Sequence, residues 1–498
     1  MANETIPNLL KKRAFLTPNR IAFVFKEQEI TFLKLYQEAL LVAEKLSTIG
    51  VKRNDHVGIL LKNHIDTVYI LFALQLLGCK AVLLNNRLTS AEIHWQMKDS
   101  NSIILLTEDS FANIVADLGT QESFNLMLIK ELLTQESTPF PIAEETNLGD
   151  ICTIMYTSGT TGNPKGVLQS YGNHWWSATG SAFNLGIHDQ DCWICTVPLF
   201  HISGYSILMR GIMYGMTIIL HEGFNEEKVI SDIIEHRATI ISVVTTMVSR
   251  ILNQLGSRTL PETFRCMLVG GGPVPKSLLE ACVKKNIPVY QTYGMTETAS
   301  QVVTLSPEDS LKKIGSAGKP LFPVQLKVVT STGIEAKPNE TGEIRVKGPN
   351  ITTGYLNRLS ETQEKIQNGW LHTEDIGYVD EDGFLYVLDR RSDLIISGGE
   401  NIYPAEIEGV LLSHDQVLDA GVIGKSDPMW GQVPIAIVVR EAGSNLTAPR
   451  LSEYCQQKLA KYKVPKHIVF VEELPRNAAR KLMRHKLREW WEENRGED

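Results

Sequence analysis

The sequence has few cysteines, few aromatic residues and no long apolar run. It contains 7 cysteines in 498 residues, 7% aromatic residues and a formal net charge of −8. A small, odd number of cysteines argues against a disulfide framework and favours a reducing compartment. No run reaches the ~18 apolar residues of a membrane span, and the N-terminus lacks the apolar stretch of a signal peptide. We therefore expect a cytoplasmic protein without membrane insertion.

The acidic charge balance and the cysteine spacing exclude two further classes of protein. A pI near 5.9 shows no overall footprint for binding nucleic acid. Cys192 and Cys195 form a Cys-x-x-Cys pair, but no second pair of cysteines or histidines completes a zinc set. Because Trp193 and Ile194 between them are typical of a core, we predict buried thiols at both positions.

Length and periodicity predict an α/β protein of more than one domain. A chain of 498 residues exceeds a single ordinary core. Helical and strand patterns alternate in the first 150 residues, with a polar, proline-containing connector over 118–147. From about residue 316, short strands with turn signals predict a small β-rich subdomain. We place a domain boundary near Asp389, before a last segment with two strand patterns and a helix.

One stretch has the composition of a phosphate-binding loop. Glycines, hydroxyl side chains and one lysine alternate over Thr157, Ser158, Gly159, Thr160, Thr161, Gly162 and Lys165. It is not a Walker A loop, because Pro164 precedes Lys165 and Gly166 follows it. A flexible linker is the alternative, but the apolar run over 151–156 predicts a buried strand leading into the loop.

Two later motifs, over 266–272 and 291–298, can be interpreted either as ligand-binding segments or as ordinary turns and loops. A predicted strand over 266–269 runs into Gly270, Gly271 and Gly272, which would let a planar ligand approach the backbone or would only form a tight turn. The motif over 291–298 places an aromatic ring, a hydroxyl and a carboxylate within five residues. Such groups could stack on a base, contact a phosphate and hold Mg²⁺, although the motif alone would be read as a plain loop.

In their order and spacing, the loop and the 291–298 motif resemble two signatures of the adenylate-forming superfamily. This superfamily contains acyl-CoA synthetases, luciferases and peptide-synthetase adenylation domains. The resemblance implies a large α/β domain with a β-rich subdomain, followed by a mobile α+β domain. It also implies that Tyr293 lies on adenine, Thr296 contacts the α-phosphate and Glu297 binds Mg²⁺.

The same resemblance extends into the second half of the chain. It implies that Asp375 binds the ribose, Arg390 contacts ribose or phosphate, and Lys481 is catalytic together with Thr296 and Glu297. The domains would be 1–388 and 394–498, joined by a hinge at 389–393 that pivots on Ser392. The residues expected to line the pantetheine tunnel of coenzyme A are Ser397, Gly398 and Gly399.

The sequence departs from the superfamily pattern at three of these motifs. Glu374 stands where a glycine usually precedes the ribose aspartate. Ser392 stands where the pivot is usually Asp or Lys, and Arg480 replaces the glycine before the catalytic lysine. The resemblance therefore does not predict the conformation of the turn before Asp375, the residue on which the hinge pivots, or the way in which Lys481 approaches the site.

The acid that is activated is indicated by one arginine. The segment over 198–204 opens a predicted helix that carries Arg210, in the region expected to form the acyl pocket. An unpaired guanidinium in an apolar pocket costs several kcal/mol, so its presence implies a second carboxylate on the acid. Segments near 198, 270 and 304 resemble those of CoA ligases for an aromatic acid with two carboxylates. We predict that His201, Arg210 and Ser242 contact the aromatic end; the alternative places Arg210 in a surface ion pair.

The expected function is therefore an ATP-, Mg²⁺- and coenzyme A-dependent acid–CoA ligase that forms an acyl-adenylate and then a thioester. Its partners would be small molecules, without nucleic acid, and the sequence leaves homo-oligomer formation open. One alternative is a CoA ligase for a fatty or other aryl acid, with Arg210 in solvent. Another is a catalytically silent nucleotide-binding protein, which would be marked by loss of Glu297 or Lys481; both are present.

Overall fold

The computed structural model describes residues 4–118, 124–157, 164–272, 274–390, 393, 395–397, 400–402, 404–427, 430–459, 461–476 and 482–494. Several predicted site residues lie outside these ranges, namely Ser158, Gly159, Thr160, Thr161, Gly162, Ser392, Gly398, Gly399 and Lys481.

The strands of the described chain are β1 (Thr5–Pro7), β2 (Ile21–Phe25), β3 (Gln28–Thr31), β4 (His56–Leu60), β5 (Lys80–Leu83), β6 (Ile104–Thr107), β7 (Asn125–Leu128), β8 (Glu145–Asn147), β9 (Ile151–Thr157), β10 (Lys165–Ser170), β11 (Cys192–Cys195), β12 (Thr217–Leu220), β13 (Ile240–Val244), β14 (Cys266–Gly270), β15 (Val289–Met295), β16 (Ser300–Leu305), β17 (Lys319–Pro320), β18 (Gln325–Val329), β19 (Gly342–Lys347), β20 (Gly354–Tyr355), β21 (Ile366–Gln367), β22 (Trp370–Val379), β23 (Leu385–Arg390), β24 (Ile395–Ser397), β25 (Glu400–Ile402), β26 (Val417–Asp427), β27 (Gly431–Arg440) and β28 (His467–Val471).

The helices of the described chain are α1 (Leu9–Leu16), α2 (Phe32–Thr48), α3 (Ile65–Leu77), α4 (Ser90–Asp99), α5 (Ala112–Leu118), α6 (Ile129–Thr134), α7 (Tyr171–Leu185), α8 (Ile202–Tyr214), α9 (Glu226–Glu235), α10 (Thr245–Leu255), α11 (Lys276–Lys284), α12 (Leu359–Lys365), α13 (Pro404–Leu412), α14 (Ala448–Lys458) and α15 (Arg484–Glu493). Among the described residues, none of these helices is long and apolar enough to cross a membrane.

Two large sheets form the first part of the chain. In the described residues one has the order β17-β16-β15-β14-β13-β11-β12-β2-β3, and the other has the order β20-β10-β9-β5-β4-β6-β7. Strands β2, β12, β11, β13, β14 and β15 are parallel, so their carboxyl ends meet at one edge of the sheet. Ligands bind at this edge in open α/β sheets.

The helices pack on these sheets through apolar faces, whose residues recur in the sequence with the helical period. In α2, Thr31 caps the first turn by accepting the Lys34 N–H at 3.2 Å. Its buried positions recur every three or four residues, as a helix with one face on the core requires: Phe32, Leu35, Ala39, Val42, Ala43 and Leu46. Helix α8 is buried along most of its length, which is unusual for a helix that carries an arginine.

Two smaller sheets follow. Strands β18, β19, β22, β21 and β23 form one that supplies the predicted ribose aspartate, and β25, β24, β27, β26 and β28 form another in the last part of the chain. A core cluster under this last sheet joins α13 and α14 to it. The predicted α/β fold with a β-rich subdomain is therefore confirmed.

One prediction from composition was wrong. The stretch 118–147 is not a plain connector, because it contains β7, α6 and β8. Strand β7 pairs in parallel with β6 and forms an edge of the seven-stranded sheet. The prolines of this stretch, Pro139 and Pro141, lie between α6 and β8, and β7 has only four residues, so the average composition concealed these short elements. The cysteines are all free and buried, including Cys192 and Cys195 on β11.

Candidate nucleotide and acyl site

Six of the predicted site residues lie at the carboxyl edge of the nine-stranded sheet, namely Gly270, Gly271, Gly272, Tyr293, Thr296 and Glu297. Strands β13, β14 and β15 end there at Val244, Gly270 and Met295. The β9–β10 hairpin of the other large sheet approaches the same edge, because Gln169 of β10 donates to the Thr296 carbonyl at 2.6 Å. The structure therefore brings together motifs that are more than a hundred residues apart in sequence.

The phosphate loop is held between two paired strands. Thr157 at the end of β9 lies opposite Lys165 at the start of β10, and the Thr157 hydroxyl donates to the Lys165 carbonyl at 3.5 Å. This strand pairing fixes the two ends of the loop, and residues 158–163 between them lie outside the described residues.

Gly270 is the last residue of β14, and Gly271 and Gly272 follow it at the surface. Gly271 has a φ of +86°, which only glycine adopts easily, and a side chain on Gly272 would meet no atom within 4 Å. Both are exposed at the carboxyl edge of the sheet. The geometry fits approach of a planar ligand to the backbone better than a turn packed against the protein.

The predicted adenine and ribose residues are in direct contact. The Tyr293 hydroxyl donates to Asp375 Oδ2 at 2.6 Å, across an interval of 82 residues. Asp375 is buried on β22, and its N–H donates to the Thr373 hydroxyl at 3.1 Å. The aspartate also lies opposite Arg390 in the register of β22 and β23. A carboxylate held in this way is oriented to accept hydroxyl groups from a nucleoside beside Tyr293.

Gly294 explains how Tyr293 reaches this position. The backbone of β15 approaches β16 so closely that an added Cβ would lie 2.1 Å from the Ser300 carbonyl oxygen. The register of the two strands shifts between Tyr293 and Gly294, which is the mark of a bulge. Bulges re-aim side chains beside active sites, and this one turns the motif toward Asp375.

Glu374, which stands where a glycine is usual, has a backbone conformation that favours glycine. Its φ is +61°, in the left-handed region that glycine adopts without strain. The exposed Glu374 carboxylate forms an ion pair with Lys365 at 2.5 Å, with 53% of its side chain accessible. The turn before Asp375 therefore has the conformation that a glycine would adopt, and the glutamate adds a surface contact that is worth at most about 1 kcal/mol.

We expect Glu374→Gly to be more stable to unfolding than Glu374→Ala by about 1 kcal/mol. Both variants lose the ion pair with Lys365, so they differ only in the Cβ that strains a left-handed backbone. Denaturant unfolding of the two variants measures this difference directly. Equal unfolding free energies would show that the backbone at Glu374 is not strained.

The carboxylate of Glu297 is held by a residue that sequence reasoning missed. The Tyr355 hydroxyl donates to Glu297 Oε1 at 3.1 Å, and Lys165 Nζ lies 5.7 Å from the centroid of the Tyr355 ring. Tyr355 therefore connects the end of the phosphate loop to the predicted magnesium ligand. No local signal identifies it, because its position depends on the pairing of β20 with β10.

Gln169 is a second missed residue. It is fully buried and joins the two signatures, since it accepts a hydrogen bond from Thr153 at 2.9 Å and donates to the Thr296 carbonyl. Buried amides are retained where both of their ends find partners. Gln169 therefore sets the distance between the β9–β10 hairpin and the backbone of Thr296.

Arg210 lies inside the protein and not on its surface. It is 1% exposed, its Nη2 donates to Ser300 Oγ at 3.2 Å, and its guanidinium carbon lies 5.3 Å from the centroid of the Trp193 ring. Within the described ranges it forms no ion pair with a carboxylate, and its Nε–H has no hydrogen-bond partner. Burial lowers the pKa of Arg210 from its usual value. A surface ion pair at this position is therefore excluded.

The other two predicted acyl residues lie at different distances from Arg210. Ser242 accepts a hydrogen bond from Trp193 Nε1 at 3.1 Å, so Ser242 and Arg210 contact the same indole ring. His201 precedes the first turn of α8, and Arg210 lies near its other end, a rise of about 13 Å. Ser242 and Arg210 thus form one cluster, and His201 lies apart from it.

The charge of Arg210 affects a neighbouring histidine. His174 is buried on α7, and burial together with the Arg210 charge lowers its pKa from 6.5 to about 3. Thr153 Oγ1 lies 3.3 Å from His174 Nε2. Because the Thr153 hydroxyl hydrogen is directed to Gln169, we assign the proton of the neutral imidazole to Nε2.

We expect His174 to make the protein less stable as the pH falls below 6.5. The unfolded chain binds a proton there and the folded chain does not until the pH nears 3, so the free energy of unfolding falls by about 1 kcal/mol per pH unit in that range. The slope should be smaller by this amount in His174→Gln, measured by urea unfolding between pH 6.5 and pH 4.5. Parallel curves for the two proteins would show that His174 titrates normally.

A cavity of about 260 Å³ opens on the Phe200 side of the site. Its lining includes Lys62, Arg87 and Arg250, and it also includes Phe200, which precedes His201. Arg250 is paired with Glu226 at 2.5 Å. Glu222 also lines the cavity and Lys62 lies 3.8 Å from Glu108, so carboxylates offset part of this positive charge.

Of the residues predicted to line the pantetheine tunnel, the structure describes only Ser397. It is buried at the end of β24, opposite Glu400 in a short hairpin and beside Gly431 of β27. Its place in the last sheet leaves its role in binding coenzyme A a prediction.

Comparison with known proteins agrees with this geometry. The family model "AMP-binding enzyme" matches residues 10–356, and "AMP-binding enzyme C-terminal domain" matches residues 406–481. The 2-succinylbenzoate–CoA ligase of Geobacillus sp. (strain WCH70) is 53% identical over 487 residues, which cover 97% of each chain.

Solved structures show the same similarity. The o-succinylbenzoate CoA synthetase from Bacillus subtilis in complex with the acyl-adenylate intermediate OSB-AMP superposes with a TM-score of 0.92 at 48% identity, covering 97% of this chain and 98% of that one. The same enzyme in complex with ATP and magnesium ion gives a TM-score of 0.92 at 48% identity, over 97% of this chain and 100% of that one. The chain therefore belongs to the AMP-binding enzyme family.

Proposed function

We propose that this protein is a 2-succinylbenzoate–CoA ligase of menaquinone biosynthesis, which converts 2-succinylbenzoate, ATP and coenzyme A into 2-succinylbenzoyl-CoA, AMP and pyrophosphate. The observation that carries the choice of acid is the burial of Arg210 without a carboxylate partner in the described chain. A buried cation of this kind needs an anion, and an acid with two carboxylates retains one when the other is activated. The names of the relatives support the same acid.

The chemistry requires activation of the acid before the thiol reacts. A thiol cannot displace oxide from a carboxylate, so the acid first attacks the α-phosphorus of ATP and releases pyrophosphate. Tyr293 and Asp375 would hold the adenosine throughout, since both the acyl-adenylate and AMP contain it. Lys165 and the phosphate loop would hold the pyrophosphate, Thr296 would contact the α-phosphate, and Lys481 would stabilise the charge that forms in the first transition state.

The residues around Glu297 fit a magnesium ion that arrives with the nucleotide. Mg²⁺ usually takes one or two carboxylates and completes its shell with phosphate oxygens and water. Among the described residues no group of three His, Cys, Asp or Glu side chains is placed to hold a metal by itself. The chemistry that bound Mg²⁺ supplies is neutralisation of charge on the phosphates.

The second half of the reaction needs access for coenzyme A. We infer that the cations Lys62, Arg87 and Arg250 attract its phosphates, because they line the cavity beside Phe200. His201 would then lie between this cavity and the cluster of Arg210 and Ser242. Rotation of the domain 394–498 about residues 389–393 would remove Lys481 and bring in Ser397, Gly398 and Gly399, so that one site serves both steps.

The test is to supply the purified protein with ATP, Mg²⁺, coenzyme A and one acid, and to measure AMP and thioester. We expect thioester with 2-succinylbenzoate and at least 100-fold lower kcat/KM with octanoate or benzoate, because a missing charge partner of Arg210 costs about 3 kcal/mol or more. Equal turnover with octanoate would contradict the choice of acid and leave the ligase class standing. Absence of AMP with every acid would contradict the ligase class.

A further inference from the structure

Tyr355 contacts two parts of the candidate nucleotide site through different portions of its side chain. The hydroxyl donates to Glu297 Oε1 at 3.1 Å, and the ring lies 5.7 Å from Lys165 Nζ. Tyr355 is only 7% exposed, so it does not move freely in solvent. One rigid side chain therefore separates, and holds in place, the predicted magnesium ligand and the predicted pyrophosphate ligand.

The backbone around Tyr355 is fixed to both of these partners. Tyr355 lies opposite Val167 in the pairing of β20 with β10, and the Leu356 N–H donates to the Gly166 carbonyl at 2.8 Å. On the other side, the Thr352 N–H donates to the Glu297 carbonyl at 2.7 Å. Residues 352–356 thus form a bridge from the backbone of Glu297 to the strand that begins at Lys165.

A second clamp orients the tyrosine itself. The Tyr355 N–H donates to the Thr362 hydroxyl at 2.9 Å, and that hydroxyl donates to the Arg358 carbonyl at 2.7 Å. An added Cβ at Gly354 would lie 2.5 Å from Thr362 Cγ2, so α12 packs directly on the turn before the tyrosine. The ring position is therefore determined by α12 and β10 together.

We propose that Tyr355 is a positioning residue for nucleotide binding with two separable effects. Its hydroxyl orients the Glu297 carboxylate by occupying one oxygen, which would leave the other to bind Mg²⁺. Its ring holds the Lys165 ammonium in the direction of the polyphosphate by a cation–π contact. The inference rests on the proposed function only in assigning Glu297 to magnesium and Lys165 to pyrophosphate.

Two substitutions separate the effects, and ATP binding measured by calorimetry without any acid is the readout. In Tyr355→Phe the ring remains, so ATP affinity in EDTA should stay within about twofold of the unaltered protein, whereas affinity in Mg²⁺ should fall about tenfold or more, as expected for loss of one hydrogen bond to a charged group. In Tyr355→Leu the ring is absent, and ATP affinity in EDTA should fall about threefold as well.

A double-mutant cycle shows whether the hydroxyl acts through Glu297. In a Glu297→Gln background, Tyr355→Phe should change ATP affinity in Mg²⁺ by less than about twofold, because the carboxylate that it orients is gone. Tyr454→Phe is the matched control, since its hydroxyl also donates a hydrogen bond, to the Ser413 carbonyl at 3.0 Å, far along the chain from Glu297. This control should bind ATP as the unaltered protein does.

The outcomes distinguish this inference from the proposed function. If Tyr355→Phe binds ATP in Mg²⁺ as tightly as the unaltered protein, or if its effect adds fully to that of Glu297→Gln, the positioning role is overturned even when thioester forms normally. If 2-succinylbenzoate is not a substrate but the calorimetric pattern holds, the proposed acid fails and the role of Tyr355 stands. Thermal unfolding of each variant confirms that it is folded before titration.

Discussion

Arg210→Met should lower kcat/KM for 2-succinylbenzoate by about 10³-fold. Truncating one member of a buried charge pair costs 2–5 kcal/mol or more, and each 1.4 kcal/mol corresponds to a factor of ten. The guanidinium is buried against Trp193 and held by Ser300, so it is already oriented before the acid binds. Methionine fills much of the same volume without a charge. The measurement is the rate of AMP release at limiting acid.

Two comparisons make the Arg210 result specific. A mono-acid that lacks the second carboxylate should be used no worse by Arg210→Met than by the unaltered protein, because it has no anion for the guanidinium to pair with. Arg210→Lys should retain part of the activity, since it keeps the charge and loses the planar, two-pronged geometry of the guanidinium. If Arg210→Met lowers the rate with the di-acid and the mono-acid by the same factor, Arg210 does not recognise the second carboxylate.

Asp375→Asn should lower kcat/KM for ATP by about 10²-fold or more. The substitution removes the charge from the predicted acceptor of two ribose hydroxyls, and a hydrogen bond to a charged group contributes about 1.5–3 kcal/mol. It also disturbs the contact with Tyr293, which at 2.6 Å is a short hydrogen bond. Because AMP is part of the ligand in both steps, adenylation and thioester formation should both be impaired.

Controls separate this effect from a general loss of charge. Tyr293→Phe keeps the ring and should cost only about tenfold, since Asp375 keeps its charge. Asp382→Asn removes a carboxylate that pairs with Lys313 at the surface and should leave the KM for ATP unchanged. An Asp375→Asn protein with normal thioester formation from preformed acyl-adenylate would show that the aspartate acts only in the first step.

Two residues with positive φ values lie between the predicted nucleotide region around Glu297 and the predicted acyl region around Arg210. Ala299 and Ser300 have φ values of +52° and +111°, directly after the motif that ends at Thr298. Residues in such conformations persist only where surrounding contacts hold them, and they cluster at active sites. Here the strained turn directs Ser300 toward Arg210 while Glu297 remains on the nucleotide side. The predicted nucleotide and acyl regions are therefore joined by the backbone of residues 297–300.

Much of the candidate site could be predicted from the sequence because its signals are local. The loop from Thr157 to Lys165, the motif around Tyr293 and Glu297, and the turn at Asp375 each combine a residue type with a short spacing that the chemistry needs. Strand and helix patterns were equally readable, since periods of 2 and 3.6 residues follow from the backbone. The sequence by itself thus determined the α/β class, the nucleotide chemistry and the order of the motifs along the chain.

Other features were decided only by tertiary structure. Whether Arg210 faced solvent or the interior depended on what packs around α8, and the strand character of β7 depended on β6 being its neighbour. The role inferred for Tyr355 arises from pairing of β20 with β10, which are nearly two hundred residues apart. The physical reason is that burial and strand pairing are set by contacts between distant segments. A local pattern specifies which groups are present, and only the folded chain specifies which of them meet.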